Sequence, residues 1–144
     1  MRCGDPSVAT VGATFSSETP KNGWFGMPDN CAVDSQGRLW NSTNGNNQKL
    51  TCRTDGLWTL ETEGQLRGTS KHFFRVPTGA ELCGPFFTQN DESLFLAAQH
   101  PGEADEGQSA MFENPSKRWP DFKDGIPPRP SLLVVTKRGG GKIA

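Results

Sequence analysis

Apolar and polar positions alternate along this chain in short bursts separated by turn residues. Cys31-Ala32-Val33-Asp34 is a brief apolar run, Ser35-Gln36-Gly37 is a turn signal, and Arg38-Leu39-Trp40-Asn41-Ser42-Thr43 resumes with strand composition, which together predict a β-hairpin closed by Asn44-Gly45-Asn46-Asn47. A second pair follows: Gly56–Glu61, a turn through Glu63-Gly64, then Lys71–Val76 ended by Pro77. The scheme then recurs. Pro85-Phe86-Phe87-Thr88 leads through the turn Gln89-Asn90-Asp91-Glu92 into Ser93–Ala98, so that Asp34–Trp40 overlays Thr88–Phe95 with one extra turn residue. Ser131–Thr136 is the most strand-like run, and a Gly139-Gly140-Gly141 turn leads into a further predicted strand at Lys142-Ile143-Ala144. Residues 1–25 carry no sustained period and are expected to form a poorly defined N-terminal segment.

The copies lie roughly 55 residues apart, and a unit of four short strands at about that length is the period of a β-propeller blade. The expected fold is therefore all-β, with one blade over 26–78 and a second over 79–144 interrupted by a polar insertion at 101–130. A sandwich would also show short strands, though they need not recur in this order. Two blades cannot close a ring that needs about 4 to 8. The chain should thus belong to a larger toroid or pair with copies of itself.

Composition supports this picture. At 144 residues there is room for one core, and Gly 17 with Pro 11 favours many short elements joined by turns. A net charge of -1 with no basic run among the aromatics excludes the electrostatic footprint of a nucleic-acid binder. No apolar run approaches the roughly 18 residues of a membrane span, and the first residues show no recognisable secretion signal. Cys3, Cys31, Cys52 and Cys83 form no C-x-x-C pair and are expected to be unpaired, mostly buried thiols.

In a propeller the innermost strand of each blade lines the channel, where carboxylates of different blades converge on one ion. Asp29 and Asn30 hold that place in the first copy and Glu81 in the second. Pro28-Asp29-Asn30 also suits an ordinary turn. Glu81 stands among small and apolar residues in Gly79-Ala80-Glu81-Leu82-Cys83-Gly84-Pro85, where an unpaired carboxylate is costly to bury. A metal, a salt bridge or exposure at the strand end would each relieve it. Cys83 reads as a small buried hydrophobe. His100, in Gln99-His100-Pro101-Gly102-Glu103, is an acid/base candidate if this turn curls over the channel mouth, and otherwise an exposed turn residue. Arg129, between prolines, is a phosphate-binding candidate or a surface ion pair. Arg38 is expected to face water from a hairpin turn, Arg67 to sit in a loop, and Asp34 and Asp55 to be turn formers. The four Trp read as packing between blades and loops.

Taken in order, Pro28-Asp29-Asn30, Asp34, Gly37-Arg38-Leu39-Trp40, Asp55-Gly56-Leu57, Arg67-Gly68, Gly79–Pro85, Gln99–Glu103, Trp119-Pro120-Asp121 and Pro128-Arg129-Pro130-Ser131 resemble the C-terminal part of the PhoX-type alkaline phosphatases, from about residue 24 to the end. The first pieces are also similar to sugar-lactonase propellers. The resemblance implies a periplasmic or secreted phosphomonoesterase on a six-bladed propeller, with iron and calcium held in the channel by carboxylates, here with Asp29, Asn30 and Glu81 as the ligands, and with His100 and Arg129 as accessory groups. In that family a cysteine ligand to iron comes from the N-terminal blades, and it does not map onto Cys31 or Cys83. A chain holding only part of the metal shell is expected to bind ions poorly and to be inactive alone. A lactone hydrolase and a non-catalytic, self-assembling half-propeller are the other classes these residues allow.

Overall fold

The structure, a computed structural model, describes residues 2–103 and 110–143; positions 104–109 of the anticipated insertion, and Ala144 of the anticipated last strand, lie outside the described residues. Among the described residues there are seven strands and no helix. β1 (Pro28–Val33), β2 (Leu39–Thr43), β3 (Gly56–Leu60) and β4 (Ser70–Arg75) form an antiparallel meander. β5 (Glu81–Phe87), β6 (Ser93–Gln99) and β7 (Ser131–Thr136) form a second sheet in sequence order.

The sheets pack against each other because each turns an apolar face to the other. In β6 the two-residue period buries Leu94, Leu96 and Ala98, which meet Trp40, Leu57, Val76, Ala80 and Leu82 in one cluster drawn from both sheets. Trp40 is fully buried at its centre, edge-on to Phe73 at 4.8 Å and to Phe87 of the other sheet at 5.0 Å. β5 lies against β1, β2 and β3. This all-β arrangement is propeller-like, as the repeat predicts.

Polar anchors fix how the sheets meet. The Asp34 carboxylate is buried in the β1–β2 turn and accepts hydrogen bonds from Gln36 N (2.9 Å), Arg38 N (3.0 Å), Arg38 Nε (2.8 Å) and Trp40 Nε1 (2.9 Å). Burial opposes its charge, yet the bonds from Trp40, Arg38 and Gln36 outweigh burial and hold its pKa below the usual value. Arg38 is therefore a half-buried partner of Asp34 and does not face water as expected. Ser35 N donates to Asp91 Oδ2 at 3.0 Å, joining this turn to the β5–β6 turn.

Among the described residues the second sheet has three strands where a fourth was expected. Gly139, Gly140 and Gly141 all take positive φ, and Ile143 N then donates to Asp91 O at 3.0 Å. The chain crosses to the β5–β6 turn instead of pairing with β7. Residues 2–25 add no strand to either sheet but cover the outer face of the first. Phe25 is buried between Phe15 and Trp58, and Gly23 lies so close to Ser70 O that a Cβ would sit 2.3 Å from it. The cysteines are unpaired, but of the four only Cys83 is buried; Cys31 and Cys52 are exposed and Cys3 is half-buried. Cys31 lies on β1, an edge strand whose side chains are mostly exposed, so its apolar composition does not translate into burial.

Candidate metal centre

β1 and β5 are neighbours across the sheet–sheet junction, and Gly84 N donates to Asn30 Oδ1 at 3.1 Å to tie them. Along β5, Leu82 enters the core, so Glu81 and Cys83, one residue to either side, share the opposite face. That face meets Asp29. One ligand atom each from Asp29, Glu81 and Cys83 lies within 4.8 Å of the others, Asp29 exposed, Glu81 half-buried and Cys83 buried. Beyond Cys83 the pairing with β6 shifts register at Gly84, which takes φ 57°, and Pro85, which has no N–H to donate.

Hydrogen bonds extend the cluster. Cys83 Sγ donates to Glu81 Oε1 at 2.7 Å; His100 Nε2 lies 2.9 Å from Glu81 Oε2, and His100 Nδ1 lies 2.7 Å from Glu103 Oε2. Burial works against the Glu81 charge, but the bonds from Cys83 and His100 prevail and lower its pKa. The Cys83 thiol is pushed up to about 12, first by burial and then by its bond to Glu81 and the negative charges of Glu81, Asp29 and Asp55. His100 itself sits at φ 28°, a conformation that costs a side-chain-bearing residue strain and is held by the surrounding contacts.

The donor set fits a multivalent cation. Two carboxylates suit calcium or iron, and a thiolate suits iron better than calcium. Cys83, read from sequence as a small hydrophobe, is thus brought into the cluster, and the two-residue spacing from Glu81 along a strand is the signal that places it there. Asp29, Glu81 and His100 come together, and Asn30 is tied to the same strand through Gly84 N. Arg129 does not join them: it pairs with Asp121 at 2.5 Å, and its N donates to Trp119 O.

Beside the cluster lies a cavity of about 160 Å³, walled on one side by residues 44–47 and Asp55 and on the other by Glu81, His100 and Glu103. Asp55, predicted to be a turn former, is a buried anchor for the first wall. It accepts from Thr43 Oγ1 (2.7 Å), Gly45 N (3.0 Å), Asn46 N (3.1 Å) and Asn46 Nδ2 (2.7 Å). Gly79 and Gly102 let the start of the insertion close down, since a Cβ at Gly79 would meet Glu103 O at 2.3 Å and one at Gly102 would meet Pro128 Cγ at 2.5 Å.

With this geometry in hand, the sequence profile of the family described as Alkaline phosphatase PhoX matches residues 1–102. The chain belongs to the PhoX family. A solved structure of Pseudomonas fluorescens PhoX in complex with vanadate, a transition state analogue, is similar at 26% identity and a TM-score of 0.70, over 89% of this chain and 20% of that one. The chain therefore spans about a fifth of that PhoX. Comparison with curated proteins finds no match. The profile match covers Asp29, Asn30, Glu81 and His100 and ends before Glu103; the resemblance read from about residue 24 onward thus extends further toward the start, and Arg129 falls outside the profile match. Among the described residues, no helix is long and apolar enough to cross a membrane.

Proposed function

We propose that this chain is the C-terminal two-sheet portion of a PhoX phosphomonoesterase and that the phosphate ester is handled where Asp29, Asn30 and Glu81 meet. The observation that carries the reading is the convergence of a carboxylate from each sheet, Asp29 and Glu81, to within 4.8 Å in a chain of this family. The similar PhoX was captured with vanadate, which supports a phosphoryl-transfer role for the shared architecture.

In this reading Asp29 and Glu81 hold calcium and iron with Cys83 as an added donor, while Asn30 Oδ1, bonded to Gly84, keeps one lone pair for a cation. When bound, the ions supply Lewis-acid polarisation of the phosphoryl oxygens. Glu81 and Glu103 grip the two ring nitrogens of His100 and so fix its ring beside the cluster, where it serves as an accessory acid/base group. Arg129, paired with Asp121 outside the cluster, would have to give up that pair to reach a phosphate oxygen. The rest of the toroid packs on the outer face of the second sheet, where Phe86, Leu132 and Val134 are exposed. The resemblance places the whole protein in the periplasm or outside the cell.

The test compares the chain, and the whole protein containing it, with Glu81→Gln in both. Metal content after loading with calcium and iron, and hydrolysis of p-nitrophenyl phosphate, are measured. Loss of a direct ligand should weaken metal binding by at least the roughly 10- to 100-fold that outer-shell losses cost. Unchanged metal content and rate would end the assignment, and turnover of a lactone without phosphatase activity would favour a lactone hydrolase.

A further inference from the structure

Resting on the phosphatase reading above, we infer that the cavity between residues 44–47 and Glu81 is the pocket for the leaving group, and that it takes a small neutral polyol such as glycerol or one sugar ring. The cavity shares Glu81 with the metal cluster, so an ester whose phosphate sits at Asp29 and Glu81 extends its alcohol portion into it. Its volume of about 160 Å³ leaves room for such a group.

The chemistry of the walls selects the class. Ala80 supplies the one aliphatic side chain among the described lining residues and His100 the one ring, so the lining is mostly polar and offers an aromatic alcohol little apolar contact. Asn44 is exposed at the rim, and its side-chain amide makes no hydrogen bond among the described residues. The Asn47 amide uses its oxygen on Lys49 N and Leu50 N and keeps its NH2 group. Amides both donate and accept, which matches a hydroxyl. The Asp55 cradle fixes the backbone of this wall, so the chain that carries these amides is set before a ligand arrives. Glu81 and Glu103 opposite accept hydrogen bonds from hydroxyls and repel an anionic tail.

The test follows the Asn44 and Asn47 amide resonances of the ¹⁵N-labelled chain in calcium during titration with inorganic phosphate, phenyl phosphate, glycerol 3-phosphate and free glycerol. Glycerol 3-phosphate should saturate them at about fivefold lower concentration than phenyl phosphate, the ratio expected for one net hydrogen bond. Asn44→Ala should bring that ratio close to one. Equal affinities, or a ratio insensitive to Asn44→Ala, would overturn the pocket while leaving phosphate binding as support for the enzyme reading. Glycerol shifting both amides while phosphate binds nowhere would uphold the pocket and overturn the phosphatase reading. Silence from every probe would overturn both.

Discussion

Two side chains, Asp34 and Cys83, show how much a single residue depends on what folds around it. Asp34 accepts four hydrogen bonds while buried, so Asp34→Asn should cost about 1–3 kcal/mol through the Arg38 and Trp40 groups left unpaired. Because the folded pKa of Asp34 lies below 3.8, its contribution is complete above that pH and is lost as pH falls through the folded value. Urea midpoints of wild type and Asp34→Asn at pH 7 and at pH 3 should converge at the lower pH. Cys83, with its thiol pushed up to about 12, should resist iodoacetamide in metal-free chain at pH 8, while exposed Cys31 and Cys52 are labelled. Mass spectrometry of the peptides reads this directly, and rapid labelling of Cys83 would contradict the buried hydrogen bond. The sequence shows that Asp34 and Asp55 belong to turns, since Ser35-Gln36-Gly37 and Gly56 flank them. It does not show their burial, which arises when Trp40, Thr43 and Asn46 close over them from other elements. Cys83 is hidden for the same reason: its neighbour Asp29 is 54 positions earlier and is brought close by sheet packing alone.

Within elements, β3 and β4 carry a titration that the hydropathy pattern does not reveal. His72 on β4 packs at a tilt against Trp58, ring centres 4.8 Å apart, and its Nε2 is buried without a partner among the described residues. Burial, followed by the charge of Arg75, lowers its pKa from 6.5. The unfolded chain therefore binds a proton near pH 6.5 that the folded chain refuses, so stability should decline as pH falls below 6.5 until the folded pKa is reached. His72→Phe keeps the ring contact and removes the proton. Its urea midpoint should be flatter than that of wild type from pH 7.5 to pH 5.5, and equal slopes would rule out His72. The strands were legible because β2, β3 and β6 are short runs carrying Leu, Trp or Phe between turn residues, although of these only β6 buries every second residue. The missing eighth strand was not, because Lys142-Ile143 has suitable residues but three glycines at positive φ redirect it.

Across the whole molecule, the two sheets differ in what covers them. Residues 2–25 lie over the outer face of the first, whereas the second leaves Phe86, Leu132 and Val134 exposed at 65%, 73% and 54%. These positions form one face: Phe86 pairs with Phe95 and Phe95 with Val134, while Ala97 pairs with Leu132. Strands buried on both faces read as continuous apolar runs, and Leu132-Leu133-Val134-Val135 is such a run. Leu133 and Val135 pack on the core; Leu132 and Val134 have the composition of a buried face and no cover within the described residues. A sheet written for two neighbours but holding one should bind an apolar dye and associate at high concentration. Leu132→Glu with Val134→Lys should abolish both while shifting stability by about 0.5 kcal/mol or less per site, because neither side chain supports the core. Sedimentation velocity and dye fluorescence decide it. A wild-type chain that stays monomeric at millimolar concentration without binding the dye would show that this face is content in water, and the proposed toroid would lose the surface on which its remaining blades are to pack.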